Sequence, residues 1–126
     1  MVNRDRLLNR MQKALRLAAD THSLEDVIEA LKRGEMQAFH NDRAIVLTEI
    51  AVAPRRKFVH VFMSAGDLDG VLELLPQIEE WGKAQGAEFA RASVRPGYEP
   101  ILKARGWKKT MVVMEYHPKG ADNGRI

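Results

Sequence analysis

The stretch AEFARASVRPGYEPILKARGWKKTMVVMEY, from Ala87 to Tyr116, decides the fold. Glu88 to Val94 is a short apolar-rich run that reads as a strand, closed by Arg95-Pro96-Gly97. Tyr98 to Arg105 then carries a short helical pattern ending at Gly106-Trp107. Lys109 to Tyr116 is a second apolar run and reads as the last strand. The segment is therefore strand, helix, Gly-aromatic turn, strand.

Upstream, Asp67 can cap a helix whose apolar positions are Leu68, Val71, Leu72, Leu75, Ile78 and Trp81, with Gly86 as its stop. Pro76 lies inside this pattern, but the apolar phase survives it, so a kinked helix is expected rather than two. Before it, the period is that of a sheet. Met36–His40, Ala44–Ala53 and Phe58–Met63 read as an antiparallel meander, with turn chemistry at Asn41-Asp42 and a basic turn at Pro54–Lys57. The strand, helix and strand between Phe58 and Val94 form a natural parallel crossover.

The chain opens with two helices. Leu7, Leu8, Met11, Ala14, Leu15 and Ala18 share one face, and Arg4, Arg6, Arg10, Lys13 and Arg16 occupy others. Ser23 reads as the second helix's N-cap, with Asp26 in a capping box that usually carries Glu or Gln, and Gly34 ends that helix. The predicted order is ααβββαβαβ, a mixed α/β (α+β) sheet with helices on its faces. One domain is expected over residues 1–117, with a frayed polar tail over 118–126.

Composition narrows the chemistry. With 126 residues the chain can bury a real core, and with no cysteine it has no disulfide, thiolate metal site or cysteine nucleophile. That fits a reducing, cytoplasmic setting. A charged N-terminus without an apolar core gives no indication of secretion, and apolar runs of about seven residues are far short of a span of roughly twenty. A net charge of +3 permits an anionic partner without indicating nucleic acid. The basic first helix reads as a solvated face, since Asp5 and Asp20 dilute it and no bulky aromatic suits it to a membrane.

The element order, with the Arg95–Trp107 segment, resembles the GNAT superfamily of acyl-CoA-dependent N-acetyltransferases over roughly residues 3 to 117. The family's first strand is missing here, because the chain starts in the helix. The short length, the Gly97-Tyr98 helix and the Gly106-Trp107 turn resemble more narrowly the small divergent GNAT-like proteins of tailed phages and prophages.

The resemblance implies acetyl-CoA as cofactor, its pyrophosphate held by a loop of the type Arg/Gln-x-x-Gly-x-Gly/Ala before the central helix. Two registers are open. With Phe58–Met63 as cofactor strand, Val59 and Val61 would line the cofactor, and Ser64, Gly66 and Gly70 would form the loop. That loop holds glycines, but also Asp67 and Asp69 where phosphates should dock. With Ile50–Pro54 as the strand end, Arg55, Arg56 and Lys57 bring charge but no glycine. The family's thiolate-protonating Tyr falls on Leu102, which has no proton to give; Tyr98 or Tyr116 could substitute, or both could be packed aromatics.

For an amine-deprotonating base, Glu49 is the best candidate, because it interrupts an apolar strand; the alternative is a solvent-facing position. His60 is also mid-strand and reads as a surface or satisfied histidine. His22, His40 and His117 have no metal-ligand spacing, so no metal is expected. Trp81, Phe89 and Trp107 read as core. Two functions follow. One is a catalytically degenerate GNAT-fold protein of phage type, acting as an accessory or virion-associated component bound to a phage structural protein or to itself. The other is an active, divergent N-acetyltransferase using Glu49 with Tyr98 or Tyr116.

Overall fold

The computed structural model describes residues 4–17 and 21–119. They group into two compact units, Met1–Ala92 and Ser93–Ile126. The tail expected over 118–126 falls mostly outside the described residues, as do Ala18 and Asp20.

In the first unit α1 (Arg4–Leu17) and α2 (Leu24–Lys32) precede the sheet. The capping box at α2 forms completely. The Ser23 hydroxyl accepts from the Asp26 N–H at 3.1 Å, and the Asp26 carboxylate accepts from the Ser23 N–H at 2.9 Å. Aspartate is shorter than the usual glutamate, but it reaches. Gly34 ends the helix region at φ +77°, a conformation that costs glycine little.

Strands β1 (Gln37–His40), β2 (Ala44–Val52) and β3 (Lys57–Gly66) form the antiparallel meander expected from the sequence. Helix α3 (Leu68–Ala84) then crosses to β4 (Phe89–Ala92), which lies parallel to β3, giving the order β1-β2-β3-β4. α3 is one continuous helix through Pro76, which sits on its exposed side.

β3 runs three residues beyond the expected Met63. Ser64, Ala65 and Gly66 are ladder residues paired with Val46, Ile45 and Ala44, where the sequence reads as a loop. The reason is the length of β2, which offers partners all the way to Ala44. The ladder also slips: Leu47 faces Met63, and Thr48 faces Val61, so Phe62 is an extra residue in a β-bulge.

The pleat sends alternate side chains to two layers. Ile45, Leu47, Met63 and Ala65 join Leu7, Met11 and Leu15 of α1 and Val27 and Ala30 of α2 in one core cluster. Ala44, Val46, Thr48 and Val59 are buried on the other face, which α3 covers with Val71, Leu74, Leu75 and Ile78. Each fully buried aliphatic side chain contributes about 1.5–3 kcal/mol. Thr48 is the buried polar residue in this layer, and its hydroxyl donates to Gln37 Oε1 at 3.2 Å.

The second unit holds a 3-10 turn (Pro96–Tyr98) running into α4 (Glu99–Lys103), with Gly106 at φ +94°. Glu99 accepts from Lys103 at 2.8 Å one turn along, and Lys109 lies 3.7 Å from it. The last strand expected over Lys109–Tyr116 does not form. These residues carry no strand assignment, and Met111, Val112, Val113, Met114 and Tyr116 are exposed. Strand propensity is realised only when a neighbouring edge takes the backbone hydrogen bonds, and no described strand pairs with this segment.

Candidate functional site

The bulge at Phe62 sets the chemistry of one sheet face. Without the extra residue, Glu49 would face Val61; with it, Glu49 faces His60. His60 Nδ1 and Glu49 Oε1 stand 2.7 Å apart, with both side chains about one-third exposed. Phe62 carries the array onward, edge-on to the His22 ring at 4.7 Å and to the His60 ring at 6.4 Å.

Glu49 also lines a cleft of about 340 Å³. Its wall is largely α2 and the turn after it, through His22, Asp26, Glu29, Arg33 and Glu35, with Ala30 and Met36 as apolar floor. Arg33 holds Glu35 in a two-pronged pair at 3.0 and 3.2 Å, which pushes the carboxyl below its usual range and the guanidinium above its own. Asp26 is lowered as well, first by the Ser23 backbone N–H and then by the Ser23 hydroxyl. The cleft is thus lined by more carboxylates than cations.

The candidate cofactor loop is a different place. Gly66 has φ +114°, and a Cβ there would lie 2.2 Å from the Arg43 carbonyl oxygen. A Cβ on Gly70 would lie 2.9 Å from the Cβ atoms of both Ala44 and Arg43. Both glycines therefore make room for the β1–β2 turn, residues 41–43, which seats against the first turn of α3. Hydrogen bonds fix the seat: Asp67 N–H donates to the Arg43 carbonyl at 3.0 Å, Asn41 Nδ2 to the Gly70 carbonyl at 3.0 Å, and Arg10 to the Arg43 carbonyl at 3.1 Å.

Asp67 stands at the N-cap of α3 as the sequence reads, but its side chain makes no cap bond and pairs instead with Arg10 at 3.2 Å. Arg43 bridges to Glu73 of α3. A phosphate cradle needs glycine backbone facing open space and free N–H groups. These glycines face protein, and Asp67 and Asp69 add negative charge. Neither glycine thus presents the open backbone of a glycine-rich phosphate cradle.

The remaining candidates divide by unit. Val59 is buried at 2% exposure, against the space left by Gly82, and Val61 is a ladder partner of Ala92. Ser64 pairs with Val46 inside the sheet. Tyr98 is half-buried in the 3-10 turn of the second unit, and Tyr116 is 85% exposed on its C-terminal segment. The structure thus brings Glu49 to His60, a residue that the sequence alone reads as a surface or satisfied histidine. A bulge leaves no mark in hydrophobic periodicity, so only the observed register reveals this pairing. Among the described residues no group of three or more His, Asp or Glu side chains could hold a metal ion. No described helix is long and apolar enough to cross a membrane.

Two solved structures share this architecture. The aminoglycoside N-acetyltransferase AAC(6')-Iy, in complex with CoA, superposes with a TM-score of 0.62 at 14% identity, covering 89% of this chain and 88% of that one. The wild-type TTHA1254 protein of Thermus thermophilus gives 0.58 at 17% identity, covering 78% and 81%. The fold is GNAT-like. No family model matches the chain, and no curated protein matches it in sequence. The GNAT-like fold thus holds in this chain with its central helix start filled by a turn of the same chain.

Proposed function

We propose that this GNAT-fold protein is a binding component that does not turn over acyl-CoA. The observation that carries the reading is the β1–β2 turn seated on Gly66 and Gly70, the position from which an acyl-CoA pyrophosphate would be held. Leu102 in place of the family's tyrosine supports it, since no proton donor stands at that position. Calorimetric titration with acetyl-CoA tests the reading. No heat of binding at millimolar cofactor is expected; micromolar binding overturns it.

The Glu49–His60 pair on its cleft favours a second reading, a divergent N-acetyltransferase whose Glu49 takes the proton of an acceptor amine. CoA bound to AAC(6')-Iy makes CoA-type binding by a related fold plausible. Tyr98 or Tyr116 would then be the acid. Acetyl transfer to a polyamine or peptide amine that is abolished in Glu49→Gln, with cofactor binding retained, would establish it. The phage or prophage placement, with a virion structural protein as partner, rests on the Gly97-Tyr98 and Gly106-Trp107 resemblance. Capsid or tail genes beside the coding sequence support it, and their absence counts against it.

A further inference from the structure

We propose that the strand end carrying Phe58 and Phe89 is a landing surface for single-stranded nucleic acid. Bases stack on the two rings and on Arg91, and phosphates are held by Arg55 and Arg56. Phe58 and Phe89 are partners across β3 and β4, and their rings stack at 4.8 Å with 9° between their planes. The Arg91 guanidinium stands over both, 4.7 and 5.5 Å from their centroids. Phe89 reads as core in the sequence, yet both rings are only half-buried and Arg91 is exposed.

Alternation along the strand explains the exposure. Val59 turns to the α3 layer, so Phe58 turns to the opposite face. On that face α1 and α2 cluster with Ile45, Leu47, Met63 and Ala65, which lie towards the other end of the ladder. Neither ring belongs to that cluster. Half-exposed ring faces beside a guanidinium are a platform on which planar bases stack, whatever their sequence.

The turn next to the rings supplies charge. The Ala53 N–H donates to the Arg56 carbonyl at 2.8 Å, closing a tight turn with Pro54 and Arg55 at its tip. Lys57 is drawn away to the end of α3, its Nζ 3.8 Å from where a Cβ on Gly86 would lie. Arg55 is exposed, and the Arg56 side chain is 64% exposed with Glu88 a loose 3.9 Å away. Guanidinium groups take phosphate oxygens in pairs. An acidic peptide would use these cations and leave the ring faces bare, and a duplex hides its base faces. Rings and cations together therefore fit an unpaired strand. None of these residues belongs to the α3 start or to the cleft, so the inference stands apart from acyl-CoA chemistry.

Fluorescence anisotropy of labelled thymidylate and uridylate dodecamers, titrated with the full chain at about 50 mM salt, tests the proposal. Micromolar binding is expected. It should be at least about fivefold weaker for an abasic strand of equal charge and for Phe89→Leu, the low end for one lost stack, and retained in Phe89→Trp. Joint Arg55→Glu and Arg56→Glu substitution should make the fall of log affinity with log salt shallower by about 1.4, about 0.7 for each lost phosphate contact. No binding at about 0.1 mM protein overturns the proposal. So does an abasic strand that binds as tightly, polyglutamate that competes as well as the oligonucleotide, or an affinity unchanged by the paired arginine substitutions. Circular dichroism of each variant checks that the fold is kept.

Discussion

At the scale of single residues, the glycines of the α3 start show how a family-like motif can be re-used. Gly66 lies at φ +114°, with space for a Cβ denied by the Arg43 carbonyl at 2.2 Å. Gly66→Ala therefore combines backbone strain of about 1–3 kcal/mol with overpacking of about the same size, and should cost roughly 2–6 kcal/mol. Gly70→Ala is a finer case. Alanine gains up to about 1 kcal/mol of helix propensity, but its Cβ meets Ala44 and Arg43 at 2.9 Å. Overpacking at about 1–3 kcal/mol outweighs that gain, so the variant should be neutral to destabilised by about 2 kcal/mol. Urea denaturation of both variants checks the order. If Gly70→Ala proves clearly stabilised, the turn does not press on α3, and the cradle is not filled in the way its contacts imply.

At the scale of elements, the N-cap of α2 links the sequence to a pH response. Both capping-box bonds are present, and Ser23→Ala should cost about 0.5–2 kcal/mol. The Asp26 carboxyl is lowered by the Ser23 backbone N–H it accepts from, so its folded value lies below the unfolded value of about 3.9. A depressed carboxyl contributes its stability above the unfolded value and loses it as pH falls through the folded one. Stability should therefore decline below about pH 4, and Asp26→Asn should flatten part of that decline when denaturation midpoints are compared between pH 7 and pH 2.5. The same caps explain what was legible before the fold was seen. Ser23, Asp26 and Gly34 mark helix ends through local chemistry, and Asn41 marks its turn by accepting from the Arg43 and Ala44 N–H groups at 2.9 Å. Such signals act within a few residues and can be read from the chain. Glu49 and His60 are eleven residues apart and meet only because of a bulge, and the filled α3 start depends on Asn41–Arg43 meeting Gly66–Gly70 across the sheet. Neither contact leaves a periodic trace. Lys109–Tyr116 differs for the converse reason: its strand propensity is real, but a strand needs an edge.

At the scale of the whole molecule, one sheet of the first unit supports two cores, and this governs how damage adds. Leu47 is fully buried towards α1 and α2, and Leu74 is fully buried in α3. Either Leu→Ala change removes a transfer contribution and leaves a cavity, at about 2–5 kcal/mol. The two sites lie on opposite faces of the sheet, so their effects should add to within about 0.5 kcal/mol unless the sheet itself relaxes. Against a total of about 5–15 kcal/mol, the double variant should be at or near the limit of folding, while each single variant keeps a cooperative transition with unchanged denaturant slope. A double variant much more stable than the sum predicts would mean that the sheet yields and the two layers share one cavity. In that case the rigid strand pair holding Glu49 to His60 would be softer than its packing implies, and the cleft beside it would change shape whenever either core does.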